Sequence, residues 1–299
     1  MYNRLISLLQ EDKIDYEENC SLKSKSSIKI DTQIALLVMP NTISQLVALI
    51  RYLSHNAIKH LILGGMSNVL FKKPIYDGVV VITSKINTKS RAENTCTVEC
   101  GSRISSVIRL MAENEYGGGE GLYHIPGTIG GMISSNAGAY GFEISSLLLE
   151  CSLLNKDDGE IIKLSRAEMG FGYRHCKMLD AGKFVLLDAT LSFLPSRSTD
   201  VYTRIKELGE MRRKTQPLEP SLGSIFKRIN GTSAGYYIER CGLKGIRIGG
   251  AEISSKHAGF IINRGDACSL DVLRLIELCR ASVYRYFGLS LETEIKIID

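Results

Sequence analysis

The spacing of apolar and polar positions divides the chain into elements of several kinds. Residues 2 to 12 carry apolar side chains at helical spacing, and a longer pattern of this type runs through TISQLVALIRYLSHN from Thr42. A hydroxyl residue directly ahead of such a run predicts a capped amphipathic helix. IALLVMP, HLILGG and GVVVIT are short apolar runs of strand length, so the first third of the chain predicts a small α/β unit. In the middle third, TCTVECG, LLLECSLLN, EIIKLS and FVLLDATLSFLP alternate with period two, with a helix at ISSVIRLMAENE. That alternation predicts an antiparallel or mixed sheet with one covered face. Composition shifts after Pro195 to the charged helix TDVYTRIKELGEMRRK, and a domain boundary is placed there. The remainder holds two glycine-bearing loops, the long helix LDVLRLIELCRASVYRYFG and a terminal strand LETEIKIID. Leu270, Leu273, Ile276 and Leu278 read as the packing stripe of that helix.

Composition narrows the class. A chain of 299 residues with 44% hydrophobic content buries a large core and is expected to form two or three structural units. No apolar run approaches the roughly 18 residues of a membrane span, and MYNRLISLLQEDK turns acidic too early for an export signal, so a cytoplasmic protein without membrane contact is expected. The eight cysteines include no CxxC pair, and the spacing of Cys96 and Cys100 puts both on one face of a strand. Buried thiols are expected, without disulfides and without a metal site. The formal charge of +5 is spread along the chain, which argues against nucleic acid and is compatible with an anionic small-molecule ligand.

The candidate chemistry begins with the glycine-rich segment GLYHIPGTIGGMISSNAGAYG, residues 121 to 141. Glycine admits close backbone approach, so the segment reads either as a cofactor loop or as a set of tight turns. Pro126, Thr128, Asn136 and Tyr140 add stiffness, hydrogen-bonding groups and an aromatic face. The segment matches neither a dinucleotide fingerprint nor a P-loop. Arg174 in FGYRHCKM, Ser224 in SLGSIFKR and Glu294 in the closing segment are polar residues in need of an explanation. Ser224 either caps a local turn or holds a hydroxyl outward. Glu292 and Glu294, two apart on an expected strand, fit paired-carboxylate chemistry, a metal site or a solvated edge. His257 reads as a ligand or as a hydrogen-bonded core histidine. With no Gly-x-Ser-x-Gly elbow, an acyl-transfer triad is disfavoured.

Taken in order, these segments resemble the bacterial UDP-N-acetylenolpyruvoylglucosamine reductase family. LGGMSN at 63 to 68 resembles its Leu-Gly-x-Gly-Ser-Asn loop, IPGTIGGMISSNAGAYG its principal flavin loop, and FGYR its Tyr-Arg motif. TQPLEPSLGSIFKR, CGLKGIRIGGAEISSKHAGFIIN and LETEIKI resemble the elements of its C-terminal domain. Together they span residues 63 to 298. The resemblance implies an α+β protein: two α/β subdomains forming a vanillyl-alcohol-oxidase-type FAD-binding module, residues 1–84 and 85–196, and a smaller C-terminal α/β substrate domain, residues 197–299. The length agrees with the compact subclass, which lacks an inserted tyrosine-bearing loop.

The resemblance also implies an FAD enzyme with NADPH as co-substrate, reducing the enolpyruvyl ether of UDP-N-acetylglucosamine. Arg174, Ser224 and Glu294 match the catalytic positions, with Ser224 as proton donor. Gly64, Gly65, Ser67, Asn68, Gly127, Thr128, Gly130, Gly131, Asn136, Ala137 and Gly138 match the cofactor loops, whose backbone N–H groups would hold the pyrophosphate. Tyr173 and Lys227 match substrate contacts. No metal is implied, no partner beyond the UDP-sugar and NADPH, and a monomer is the favoured state. Departures from the family pattern are Met66 where glycine is usual, Ile229 for proline, Phe142 for glycine, Cys176 for serine, and no Gly-Gly in the N-terminal strand. A thioether at Met66 is expected to restrict backbone approach to the pyrophosphate, which leaves a catalytically idle flavin- or nucleotide-sugar-binding paralogue as the alternative. A flavin oxidase of the same fold ranks below both.

Overall fold

The computed structural model describes residues 2–299. It divides into two compact units, each assembled from separate stretches of chain: Met1–Glu18, Leu36–Gly65 and Gly78–Glu210 in the first, Asn19–Ala35, Met66–Asp77 and Met211–Asp299 in the second. The helix Ser198–Thr215 carries the chain from one to the other at Glu210 and Met211.

In the first unit the helix Ile43–His55 forms where the apolar spacing places it, and the Thr42 side chain accepts a 3.2 Å hydrogen bond from the Gln45 N–H at its start. Leu46, Val47, Leu49, Ile50 and Leu53 make its buried face. His60–Leu63 pairs in parallel with Val79–Ile82. A five-stranded sheet follows, in the order Ile161–Ser165, Leu148–Asn155, Phe184–Ser192, Thr95–Glu99, Lys89–Ala92, with all neighbours antiparallel. The alternation in Thr95–Glu99 buries Cys96 and Val98, and Cys100 is buried just beyond. Desolvation pushes the Cys100 thiol up to about 12. A polar strand, Asp15–Ser21, has an acidic, mostly exposed sequence that gives no hydrophobic signal.

The second unit has a four-stranded antiparallel sheet in the order Ser221–Ser224, Phe260–Asn263, Ala251–Ile253, Arg247–Ile248. The helix Ser269–Phe287 buries Val272, Leu275, Ile276, Cys279 and Val283 and ends at Gly288 in the left-handed region, φ 67°. The packing stripe therefore differs from the one expected. Leu270 is 51% exposed, because a spacing of three and four residues carried from Ile276 runs through Val272, Cys279 and Val283 and misses it.

The terminal strand is also shorter than LETEIKIID implies. Thr293 forms an isolated antiparallel bridge to Phe226, the chain bends at Glu294 and Ile295, and only Lys296–Ile298 continues as a strand, parallel to Val69–Phe71. The bend falls where the segment exchanges one pairing partner for another. Among the described residues, no helix is long and apolar enough to cross a membrane.

Candidate active site

In the first unit, the loop after His60–Leu63 meets the glycine-rich segment at backbone distance. A Cβ added to Gly64 would lie 2.1 Å from Thr128 Oγ1, and one added to Gly65 would lie 2.8 Å from Gly127 Cα. Only glycine permits this approach at either position. Gly127 has φ 116°, closed to side-chain-bearing residues, and Thr128 then opens the short helix Ile129–Ser134 from an extended conformation. Its hydroxyl does not cap that helix. Thr128 is 3% exposed, and its Oγ1 is buried without a hydrogen-bond partner.

Three of the backbone donors expected to hold a pyrophosphate are committed within the protein. Gly130 donates to Cys100 O at 2.8 Å, Asn136 to Ile133 O at 3.2 Å, and Ala137 to Met132 O at 2.8 Å. These residues shape the loop. Gly131 sits in the helix without a close neighbour for an added Cβ other than Thr128 Oγ1 at 3.8 Å. Gly138 lies in a hairpin, Gly138–Ala139 against Phe142–Glu143, turned by Tyr140 and Gly141 with φ 55° and 84°. Paired positive φ values match the right-handed strand twist. The Tyr140 hydroxyl is a second buried group without a partner, on a residue noted in the sequence only for its aromatic face.

Asn136 is the hub of this region. Its Nδ2 donates to Gly172 O at 2.9 Å and Glu143 Oε2 at 3.1 Å, and its Oδ1 accepts from the Ser145 N–H at 3.3 Å. Arg174 occupies the turn of the hairpin Phe171–Gly172 and His175–Cys176 with φ 53°. A non-glycine residue there carries local strain. Its guanidinium donates to Gly138 O at 2.7 Å and Asn136 O at 3.4 Å, with Tyr173, 44% exposed, 5.1 Å below it. The first unit thus gathers Gly64, Gly65, Gly127, Thr128, Asn136, Gly138, Tyr173 and Arg174 around one set of loops.

In the second unit, Met66 departs from the expected effect of its thioether. The residue has φ 47°, and its side chain is 3% exposed, lining a small cavity with Leu22, Ile28, Ile30 and Leu70. Turned into that core, it does not stand on the loop's face. After Ser67, Asn68 Nδ2 donates to the Glu294 carbonyl at 3.1 Å.

Ser224 ends its strand beside a register shift, with Gly223 at φ 77°. Its hydroxyl caps no local backbone group, since no side-chain hydrogen bond joins it to another described residue. The chain after it lies against the terminal segment: Glu294 N–H donates to Ile225 O at 2.7 Å, and Lys227 N–H to Glu292 O at 2.9 Å. Ser224, Lys227, Asn68 and Glu294 are thereby assembled from three stretches of chain. The two carboxylates separate in role, because Glu292 is exposed and ion-paired to Lys227 at 2.5 Å, whereas half-buried Glu294 lies in the bend. The same-face argument for the pair fails with the strand that carried it. His257 is the core histidine of the alternatives: its Nδ1 accepts from the Gly259 N–H at 3.0 Å, and burial lowers its pKa.

Comparison with known proteins adds independent findings. A family model described as FAD binding domain matches residues 34–165, and one described as UDP-N-acetylenolpyruvoylglucosamine reductase, C-terminal domain, matches residues 216–298. The chain is 41% identical over 97% of its length to the UDP-N-acetylenolpyruvoylglucosamine reductase of Caldicellulosiruptor saccharolyticus, covering 94% of that protein. It is 38% identical over 99% of its length to that of Clostridium tetani, covering 97% of it. The crystal structure of the Thermus caldophilus enzyme superposes with a TM-score of 0.80 at 27% identity, over 96% of this chain and 99% of that one. On this full-length similarity, the chain belongs to the UDP-N-acetylenolpyruvoylglucosamine reductase family.

Proposed function

We propose that the protein is an NADPH-dependent, FAD-containing reductase that converts the enolpyruvyl ether of UDP-N-acetylglucosamine to UDP-N-acetylmuramate, acting as a cytoplasmic monomer in peptidoglycan precursor synthesis. The observation that carries this reading is the match to curated reductases over 97% or more of the chain. Within it, segments 1–84 and 85–196 serve the cofactor and 197–299 serves the substrate. The first unit fits FAD on its own geometry: two glycines leave no side chain between the loops, and Thr128 offers a buried hydroxyl that no protein group uses. Thr128, Gly64, Gly65 and Gly127 would hold the cofactor, with Asn136 fixing the loop shape.

When bound, FAD supplies hydride transfer from NADPH to the terminal carbon of the enol ether. The protein's own residues manage the charge that follows. The substrate carbon beside the ether oxygen becomes carbanionic, and its electron pair spreads into the adjacent carboxylate. Arg174 offers a fixed positive charge, and Glu294 in its protonated form offers a hydrogen bond to the same developing charge. A carboxyl serves in that way only if it keeps its proton. Ser224 Oγ gives its proton to the carbanionic carbon and recovers one from solvent. A serine hydroxyl is a weak acid, so the transfer needs a strongly basic carbon at close range. The bulge at Ser224 suits this, because it leaves the hydroxyl free of local backbone bonds. Lys227, here paired with Glu292, would take the acidic groups of the nucleotide sugar.

The purified protein should be yellow and should consume NADPH only when the enolpyruvyl nucleotide is added. A yellow protein without that turnover would be the idle flavin binder instead. Ser224→Ala should leave flavin reduction by NADPH intact while lowering overall turnover by orders of magnitude. Normal turnover in this variant would remove Ser224 from the reaction.

A further inference from the structure

Glu294 does not lie in a ladder that would fix its direction. It sits in the bend between the bridge at Thr293 and the strand that begins at Lys296. A residue in a bend is aimed by whatever local ties its backbone makes. On one side its N–H donates to Ile225 O at 2.7 Å. On the other side both ties go to one residue: the Glu294 carbonyl accepts from Asn68 Nδ2 at 3.1 Å, and the Lys296 N–H donates to Asn68 O at 2.9 Å.

Asn68 therefore grips the chain at Glu294 and again two residues later. It stands immediately before Val69, which is in register with Lys296 in the parallel pair. A short amide side chain suits this place, since it donates to a carbonyl while its own backbone passes into the strand. The loop that carries it is itself anchored. Met66 is buried in the core of this unit, and its carbonyl accepts from the Ser27 N–H at 3.2 Å.

We propose that Asn68 is a positioning residue for Glu294: by holding the backbone on both sides of the bend, it sets the direction of the carboxyl that supports the carbanion. This rests on the reading of Glu294 as the acid. It gives the Ser-Asn loop a second task, since the resemblance assigns that loop to the cofactor alone.

Asn68→Asp tests the inference, because it keeps the size of the side chain and removes its N–H donor. The FAD-loaded variant is followed in two half-reactions: reduction of the flavin by NADPH, and reoxidation by the enolpyruvyl nucleotide. A misplaced acid affects the second, and displacements on the order of 1 Å cost up to about a hundredfold. The expected result is a reoxidation rate that falls tenfold or more relative to the change in the reduction rate. Backbone hydrogen exchange at Thr293 to Lys296 should rise in the same variant. Parallel slowing of both half-reactions, or a second half-reaction in step with the first, would overturn the proposal. So would unchanged exchange at Thr293 to Lys296, and that measurement requires no turnover. Failure of the wild-type protein to oxidise NADPH with the nucleotide sinks the functional reading instead. Should Asn68→Asp not fold, Asn68→Ser carries the same comparison.

Discussion

At Met66 two energies of similar size oppose each other. A non-glycine residue at φ 47° costs about 1–2 kcal/mol, while burying a methionine side chain returns about 1.5–3 kcal/mol. The structure keeps the left-handed backbone and turns the thioether inward. Met66→Ala loses the burial and keeps the strain, so it should destabilise the protein by roughly 2–4 kcal/mol. Met66→Gly also loses the burial but relieves the strain, and should be the more stable of the two by about 1 kcal/mol. Urea unfolding of both variants gives the order, and an alanine variant more stable than the glycine variant would contradict the left-handed assignment. A second residue sets a pH dependence. His60 Nδ1 lies 2.8 Å from Ile58 O, its Nε2 is buried without a partner, and burial lowers its pKa below the ordinary 6.5. The folded state then binds its proton less readily than the unfolded state. The stability it contributes is fully present above pH 6.5 and is lost as pH falls through the lower, folded value. His257 acts in the same direction. His60→Asn, which retains a donor near the Nδ1 position, should therefore lose less Tm between pH 8 and 5.5 than the wild type, with a residual slope from His257. Equal slopes would show that His60 is not the titrating group.

Among the elements, those long enough to complete their period were legible in the sequence. Leu148–Asn155 and Phe184–Ser192 alternate over enough residues to declare an antiparallel sheet, and Thr42 marks its helix start by chemistry. The strands of the second unit's sheet run from two to four residues, too short for a period to show. They are held in part by a carboxylate that no periodicity reveals. Glu252, on the strand Ala251–Ile253, has a side chain 4% exposed and accepts from Arg247 Nε at 2.5 Å, Arg264 Nη2 at 2.7 Å and Arg264 Nε at 3.0 Å. The two guanidinium groups hold its pKa below the ordinary carboxylate value. Its stabilisation is present above pH 4.5 and is lost as pH falls through the folded value, a window more acidic than that of the histidines. Glu252→Gln should cost about 1–3 kcal/mol at neutral pH, because two arginines lose a charged acceptor while each keeps some solvent. Its acid transition below pH 4.5 should be correspondingly flatter. A variant as stable as the wild type at pH 7 would show that the arginines are satisfied by water.

For the molecule as a whole, the residues proposed for the site are more legible than the connections between them. The glycine clusters stand out in one dimension, whereas Arg174, Ser224 and Glu294 are singled out from bland alternatives only by the family resemblance. The clamp between Asn68 and Glu294 joins positions 226 residues apart, and the two units are each built from separate stretches, so neither feature leaves a local trace. The commitment of the Gly130, Asn136 and Ala137 N–H groups to carbonyls was equally hidden, and it shifts attention to the Thr128 hydroxyl. That hydroxyl predicts opposite responses in the two states of the protein. Without FAD it is a buried group lacking a partner, a condition that costs about 1–3 kcal/mol. With FAD it can donate to an anionic oxygen, a bond of about 1.5–3 kcal/mol. Thr128→Val keeps the shape and replaces the polar atom by a methyl. The FAD-stripped variant should unfold at the wild-type temperature or above it. Its FAD dissociation constant, followed by flavin fluorescence, should rise roughly tenfold to a hundredfold. The holo-protein should then lose part of the thermal stabilisation that the wild type gains from the same FAD concentration, since that gain follows the binding constant. A variant that weakened the stripped protein and bound FAD normally would make Thr128 a structural residue and return the pyrophosphate to the backbone.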